Sequence, residues 1–256
     1  MLAATPITEQ WETQGFIPSV DVLTEAEVRE YRAAFDDLER REGRDWAEVK
    51  LIDRHFDLEF VWRLATHPAV LDAVQAVIGP NLLALGSHFF CKYPAAGADG
   101  RGERFVAWHQ DVTYWGLEPP LSASAWIAID DSDVENGCMR VICGSHRSGI
   151  LPHGTADRAG NLLSINQEIP RDRVDESATV DLCLRAGQMS LHYGLLVHGS
   201  NPNRSTRRRC GLTVRYVPPH VRQTNTNSLG TWWQAVLVRG EDRYRHFPPR
   251  EVPWRT

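Results

Sequence analysis

Two short stretches of the chain hold residue types that can bind a reactive metal. His109 and Asp111 are separated by one residue in Trp108-His109-Gln110-Asp111, and a second histidine, His198, stands far downstream in Leu191-His192-Tyr193-Gly194-Leu195-Leu196-Val197-His198-Gly199-Ser200. Two imidazoles and one carboxylate leave roughly half of an octahedral coordination sphere open, which is what oxygen-activating non-haem Fe(II) needs. Residues i and i+2 of a strand face one side, so His109 and Asp111 are expected to point together into an interior while Gln110 points away. His198 then has to come from another strand. The HxD pair alone is a weak signal, because a histidine satisfied in a core or at a surface fits it equally well.

Such ligands need a rigid frame. Thr24-Glu25-Ala26-Glu27 reads as a capping box, followed by Val28, Tyr31, Phe35 and Leu38 at helical spacing. A second helix is expected from Pro68, carrying Val70, Leu71, Val74, Val77 and Ile78 and stopping at Gly79-Pro80. Short apolar segments follow, separated by Gly, Pro, Asn and Asp, at 81–93, 104–108, 122–130, 137–143, 179–184, 189–192 and 209–217. Several alternate apolar and polar residues, as strands with one buried face do. The expected fold class is mainly β with flanking helices around a double-stranded β-helix, the jelly-roll core of cupin-like proteins. One domain is expected over 1–256, with a helical part at about 1–80, the jelly-roll core at about 81–218 and a C-terminal segment at 219–256. Asn136-Gly137 signals a turn. The Gly-rich stretch 94–102, the polar insertion 152–178 and the turn-rich 219–231 read as loops, which at one end of a barrel carry specificity or act as lids.

Composition narrows the class. The chain has 256 residues, 42% hydrophobic and 24% charged, which suits a soluble globular protein with a sizeable core. Its net charge of −5 offers no global basic field, so no nucleic-acid partner is expected. No apolar run approaches a membrane span, and the first residues lack the basic start and apolar run of a secretory signal. The five cysteines, without a CxxC, read as reduced thiols of a cytoplasmic protein.

Five segments in this order resemble the phytanoyl-CoA dioxygenase family of Fe(II)/2-oxoglutarate oxygenases: WHQD (108–111), AWIAIDD (125–131), NGCMRVICGSH (136–146), GQMSLHYGLLVHGS (187–200) and RRRCGLTVRY (207–216). LGSHFFCKYP (85–94) and the N-terminal helices also resemble its bacterial small-molecule branch. The resemblance implies His109, Asp111 and His198 as iron ligands, with Fe(II), 2-oxoglutarate and O2 as cofactor and cosubstrates and ascorbate as a stimulant. It implies Arg209, eleven residues past the distal histidine, as the anchor for the far carboxylate of 2-oxoglutarate. A buried carboxylate needs a paired cation, and the arginine fork suits it. Alternation puts Arg207 and Arg209 on one face, so spacing alone does not separate them; the competing reading of the arginine run is a solvated turn. Trp126 matches a position lining the cosubstrate pocket, or is a plain core residue. Ser200 matches a position that hydrogen-bonds the cosubstrate carboxylate, or is a turn hydroxyl.

Other residues are read more plainly. His146 is taken as a hydrogen-bonded scaffold residue, His192 as a residue near the substrate or behind the ligands, and Lys92 as either a pocket cation or a surface lysine. Relatives that halogenate carry a small residue in place of the HxD aspartate, so Asp111 implies oxygenation instead. Trp108, Tyr114 and Trp115 flank the motif, and Trp232-Trp233 open the C-terminal segment; aromatic walls suit an apolar or cationic substrate. The expected activity is hydroxylation of an unactivated C–H bond of a small metabolite, with release of succinate and CO2. Desaturation, epoxidation or cyclisation by the same chemistry is the alternative, and a non-catalytic metal-binding cupin-like module a more distant one. The protein is expected to act as a monomer or homodimer.

Overall fold

The structure, a computed structural model, describes residues 6–94, 102–227 and 230–254, so most of the Gly-rich stretch 94–102 and the side chain of Tyr114 lie outside the described residues. Five α-helices precede the barrel: α1 (Ile7–Gln14), α2 (Glu25–Glu42), α3 (Arg44–Val49), α4 (Glu59–Ala65) and α5 (Pro68–Ile78). In α2 the Thr24 hydroxyl accepts from the Glu27 amide while the Glu27 carboxylate accepts from the Thr24 amide, so the capping box forms as the sequence indicates. Pro68 opens α5 and Gly79 follows it. The other three helices have eight, six and seven residues, too short for a 3.6-residue period to stand out.

Every one of the seven expected strand segments is a strand. The large antiparallel sheet runs, in spatial order, β1 (Phe16–Asp21), β10 (Gln188–Tyr193), β5 (Ala123–Ala128), β12 (Arg209–Val217), β2 (Leu82–Lys92) and β14 (Val236–Arg239). The smaller sheet runs β3 (Val106–His109), β11 (His198–Ser200), β6 (Met139–Ile142) and β9 (Thr179–Leu182). Two short ribbons, β4 (Leu117–Glu118) with β13 (Arg222–Gln223) and β7 (Gly154–Thr155) with β8 (Gln167–Glu168), lie in the loop regions. The N-terminal part is thus not purely helical, and the C-terminal segment extends the large sheet. β1 sits at a sheet edge with a register shift between Ile17 and Val20, where Pro18 is tolerated because no neighbour requires its missing N–H.

The large sheet separates packing from chemistry. Ala125 and Ile127 of β5, Leu191 of β10, and Leu212, Val214 and Tyr216 of β12 share one apolar cluster with Phe35 and Leu38 of α2 and Val70 and Val74 of α5. Each fully buried side chain of this size contributes about 1.5–3 kcal/mol. The alternate residues face the other way. Trp126 stands opposite Ser190 and Thr213, and Ser124 opposite His192 and Arg215, with Lys92 opposite Arg209 at the far end of the ladder. The polar half of the alternation therefore faces the interior between the two sheets.

Candidate metal centre

His109 ends β3, and Asp111 opens a 3₁₀ turn (Asp111–Tyr114) after the extended Gln110. The expectation of an unbroken strand through Asp111 is thus corrected, although the two side chains still converge. β3 also bulges: His198 pairs with His109 and Ser200 with Val106, so two steps on β11 match three on β3. Gly199 permits this close approach, because a Cβ there would sit 2.9 Å from the Val106 carbonyl oxygen. Gln110 points away into a buried network. Its amide nitrogen donates to the carbonyls of Gly149 and Leu195, and its oxygen accepts from the Leu151 amide, tying two loop segments to the motif.

Among the described residues, His109, Asp111 and His198 form the one set of three His, Cys, Asp or Glu side chains able to share an ion; their ligand atoms lie within 4.8 Å of one another. Each histidine is held by its own strand: Nδ1 of His109 donates to the Ala107 carbonyl at 2.9 Å and Nδ1 of His198 to that of Leu196 at 3.0 Å. That leaves both Nε2 lone pairs free, the tautomer a metal ligand requires. Burial is the main reason that the His109 imidazole falls to about 4 and that of His198 well below its usual value, so both are neutral. Burial pushes the Asp111 carboxyl up, but the charges around it, the Arg215 guanidinium foremost, outweigh it and hold it well below the usual carboxylate range. Ser124 Oγ donates to Asp111 Oδ2 at 2.7 Å, and Oδ1 lies 3.8 Å from His109 Nε2. Three acceptors thus converge on one point with no donor between them, an arrangement that a cation relieves.

One end of the same cavity is basic. Arg209 is buried, its guanidinium stacks 4.3 Å from the Trp126 ring, and its Nε donates to Ser132 Oγ. No carboxylate among the described residues lies within ion-pair distance of it, and burial lowers its pKa to about 10. Gly211 makes the stack possible, since a Cβ would fall 2.1 Å from Trp126 Cζ2. Lys92 is fully buried beside Arg209 rather than snorkelling to the surface, and its Nζ donates to Ser200 Oγ and the Asn201 carbonyl. Burial and Arg209 hold its ammonium well below the usual lysine range. An isolated buried guanidinium beside a second amine fits an incoming carboxylate.

The neighbouring arginines are otherwise engaged. Arg207 is half exposed and pairs with Asp133 and Glu135, while Arg208 bonds Asp130 and Glu39. His146 accepts its place in the scaffold, its Nε2 at 3.1 Å from the Glu12 carbonyl and remote from the ligand cluster. His192 ends up much closer than sequence reasoning weighted it. Its ring centroid is 4.4 Å from that of His198, Nε2 is 3.4 Å from Asp111 Oδ2 without hydrogen-bond alignment, and neither ring nitrogen has a hydrogen-bond partner. Ser124 and Arg215 went unread, although both follow by even steps along strands from Trp126 and Arg209. Of the flanking aromatics, Trp115 lines the cavity and meets Trp233 edge-on at 5.9 Å, whereas Trp108 packs outside it with Ile142, Ile169 and Val197. The 152–178 insertion brings Leu162, Leu163 and Ile165, with Ser164 and Gln167, to the lining of the cavity.

Comparison with known proteins agrees with this geometry. The model of the phytanoyl-CoA dioxygenase (PhyH) family matches residues 11–211. Peroxisomal phytanoyl-CoA dioxygenase of Bos taurus is 25% identical over 226 residues, covering 80% of this chain and 66% of its own length. The chain therefore spans just under two thirds of that relative. Among solved structures, the apo non-heme monooxygenase ThoJ superposes with a TM-score of 0.78 at 32% identity, covering 97% of this chain and 88% of its own. The epimerase SnoN, solved with Fe3+, alpha-ketoglutarate and nogalamycin RO, shares the fold with a TM-score of 0.72 at 22% identity, covering 96% and 95%. No helix of the described residues is long and apolar enough to cross a membrane. The chain belongs to the phytanoyl-CoA dioxygenase family.

Proposed function

We propose that this protein is an Fe(II)- and 2-oxoglutarate-dependent oxygenase that hydroxylates an unactivated C–H bond of a small metabolite. The observation that carries the reading is the pairing, in one cavity, of two neutral histidines and one ionised carboxylate with a buried Arg209 that has no carboxylate partner among the described residues. In this reading His109, Asp111 and His198 hold the iron, and Ser124 keeps Asp111 oriented by occupying Oδ2. Arg209 and Lys92 take the far carboxylate of 2-oxoglutarate, Ser200 completes the contact, and Trp126 walls it. When bound, iron and 2-oxoglutarate supply the oxidising power by reductive activation of O2, with release of succinate and CO2. The chain binds, aligns and dries: Leu162, Leu163 and Ile165 cover the cavity, and Gln110 fixes the loops around it.

Cyclisation, desaturation or epoxidation would use the same residues, and the epimerase among the structural relatives supports keeping such outcomes as the second reading. The test is an anaerobic reconstitution with Fe(II) and 2-oxoglutarate, followed by oxygen and a panel of candidate metabolites. Substrate-stimulated succinate with a product sixteen mass units heavier that carries a new hydroxyl by NMR supports hydroxylation, whereas an epoxide of the same mass supports the second reading. A product two units lighter, or of unchanged mass, supports the second reading. Absence of both metal binding and 2-oxoglutarate turnover defeats the proposal.

A further inference from the structure

Arg215 lines the cavity but belongs neither to the helix-packed core nor to the proposed cosubstrate anchor. It lies on β12 six residues beyond Arg209, on the same inner face, and its guanidinium reaches the metal cluster from the side away from Lys92. Only 13% of its side chain is exposed, it stacks over Trp115 at 5.2 Å, and it donates no hydrogen bond among the described residues; its Nε is buried without a partner. The nearest carboxylate oxygen, Asp111 Oδ1, is 4.0 Å away, beyond a hydrogen bond and aimed at the metal position. Asp53 feels Arg215 from behind but accepts the Ser87 amide instead and makes no ion pair with it. A buried guanidinium whose Nε has no partner, and whose one carboxylate neighbour stands at the edge of ion-pair distance, is costly unless a ligand completes it.

Charge in the loaded cavity sharpens the point, resting on the reading above. A divalent ion is balanced by Asp111 and the near carboxylate of 2-oxoglutarate, while the far one answers Arg209 and the Lys92 amine, whose protonation burial and Arg209 disfavour. Arg215 then remains as a positive charge beside a neutralised centre. The cavity is also lined by Phe90, Trp115, Leu162 and Ile165, with the uncharged polar Ser164 and Gln167 among them. We infer that Arg215 receives an anionic group of the substrate, so that the oxidised molecule is a carboxylate or a comparable oxyanion with an apolar or aromatic body. The guanidinium would grip that group in a two-pronged bond and hold a carbon of the attached body over the metal.

The test uses full-length protein loaded with 2-oxoglutarate and Mn(II), which does not turn over. A first titration establishes that 2-oxoglutarate binds only with metal; failure there defeats the oxygenase reading itself, separately from this one. Thermal shift and calorimetry then compare acetate, benzoate and a panel of aryl and alkyl amino acids with their neutral primary amides. Acids are expected to bind and amides to bind at least tenfold more weakly. Arg215→Leu should weaken the acids by about 10- to 100-fold, the worth of a charged hydrogen-bonded pair, with Arg215→Lys intermediate and 2-oxoglutarate affinity within about twofold of the parent. Equal binding of acids and amides, no acid binding at all, or unchanged acid binding in Arg215→Leu overturns the inference. So does a tenfold loss of 2-oxoglutarate affinity in Arg215→Leu, which would assign Arg215 to the cosubstrate.

Discussion

Arg207 and Arg209 look interchangeable in the sequence, two residues apart on an alternating strand, yet they meet opposite environments. Arg207 lies just before β12 and pairs in the open with Asp133 and Glu135; Arg209 opens the strand and is enclosed with Trp126 and Ser132. Arg209→Ala is therefore expected to raise the 2-oxoglutarate dissociation constant by at least about tenfold, and Arg207→Ala to leave it within about twofold, measured by calorimetry with Mn(II). The reverse result would move the anchor to Arg207. Residue types alone made the HxD pair a weak signal, and the ligand set and Arg209 came from the resemblance of several motifs in order; the structure brings His109, Asp111, His198 and Arg209 to one cavity. Lys92, His192, Ser124 and Arg215 were harder, because a polar residue on a strand is ordinarily a solvent-facing one. Their role depends on which face closes against the second sheet, and that is decided by pairing between distant segments.

Secondary structure was legible where local chemistry dictates it. The capping box fixed the start of α2 and the Pro68 and Gly79 positions bounded α5, while the short helices α3 and α4 exist through tertiary contacts of Ala47, Val61 and Leu64. The α2 cap also titrates. Hydrogen bonds from the Thr24 backbone and side chain, aided by His67, lower the Glu27 carboxyl from 4.5 to about 2. A carboxyl depressed in the folded state contributes stability that is complete above its unfolded value and is lost as pH falls through the folded one. Glu27→Ala should therefore cost about 1 kcal/mol near neutrality, a typical cap, and the difference from the parent should fade between roughly pH 4.5 and 2. Urea denaturation across that range checks it; a pH-independent difference would mean that packing, not the carboxylate, stabilises the helix start.

At the scale of the molecule, the converging acceptors of the cluster and the buried Arg209 guanidinium, without a carboxylate partner among the described residues, make the folded chain a better ligand-binding species than the unfolded one. Saturation with Mn(II) and 2-oxoglutarate at about 100 times their dissociation constants should add about 2.7 kcal/mol for each independent site, and a rise of roughly 5–10 °C in Tm, removed by a chelator. No shift on addition of either would contradict the assignment of the cavity. The two-faced sheet has a consequence of a different kind. Because Ile127, Leu212 and Val214 pack in the cluster that holds the helices while Ser124, Trp126 and Arg215 alternate onto the inner face, inheritance can edit one set without exchanging the other. Point substitutions on the inner face are a route to new substrates at little loss of foldedness, whereas a one-residue insertion in β5 or β12 would exchange the two sets and end both together. Descendants of such a chain should diversify by replacement in these strands and by length change only in the loops.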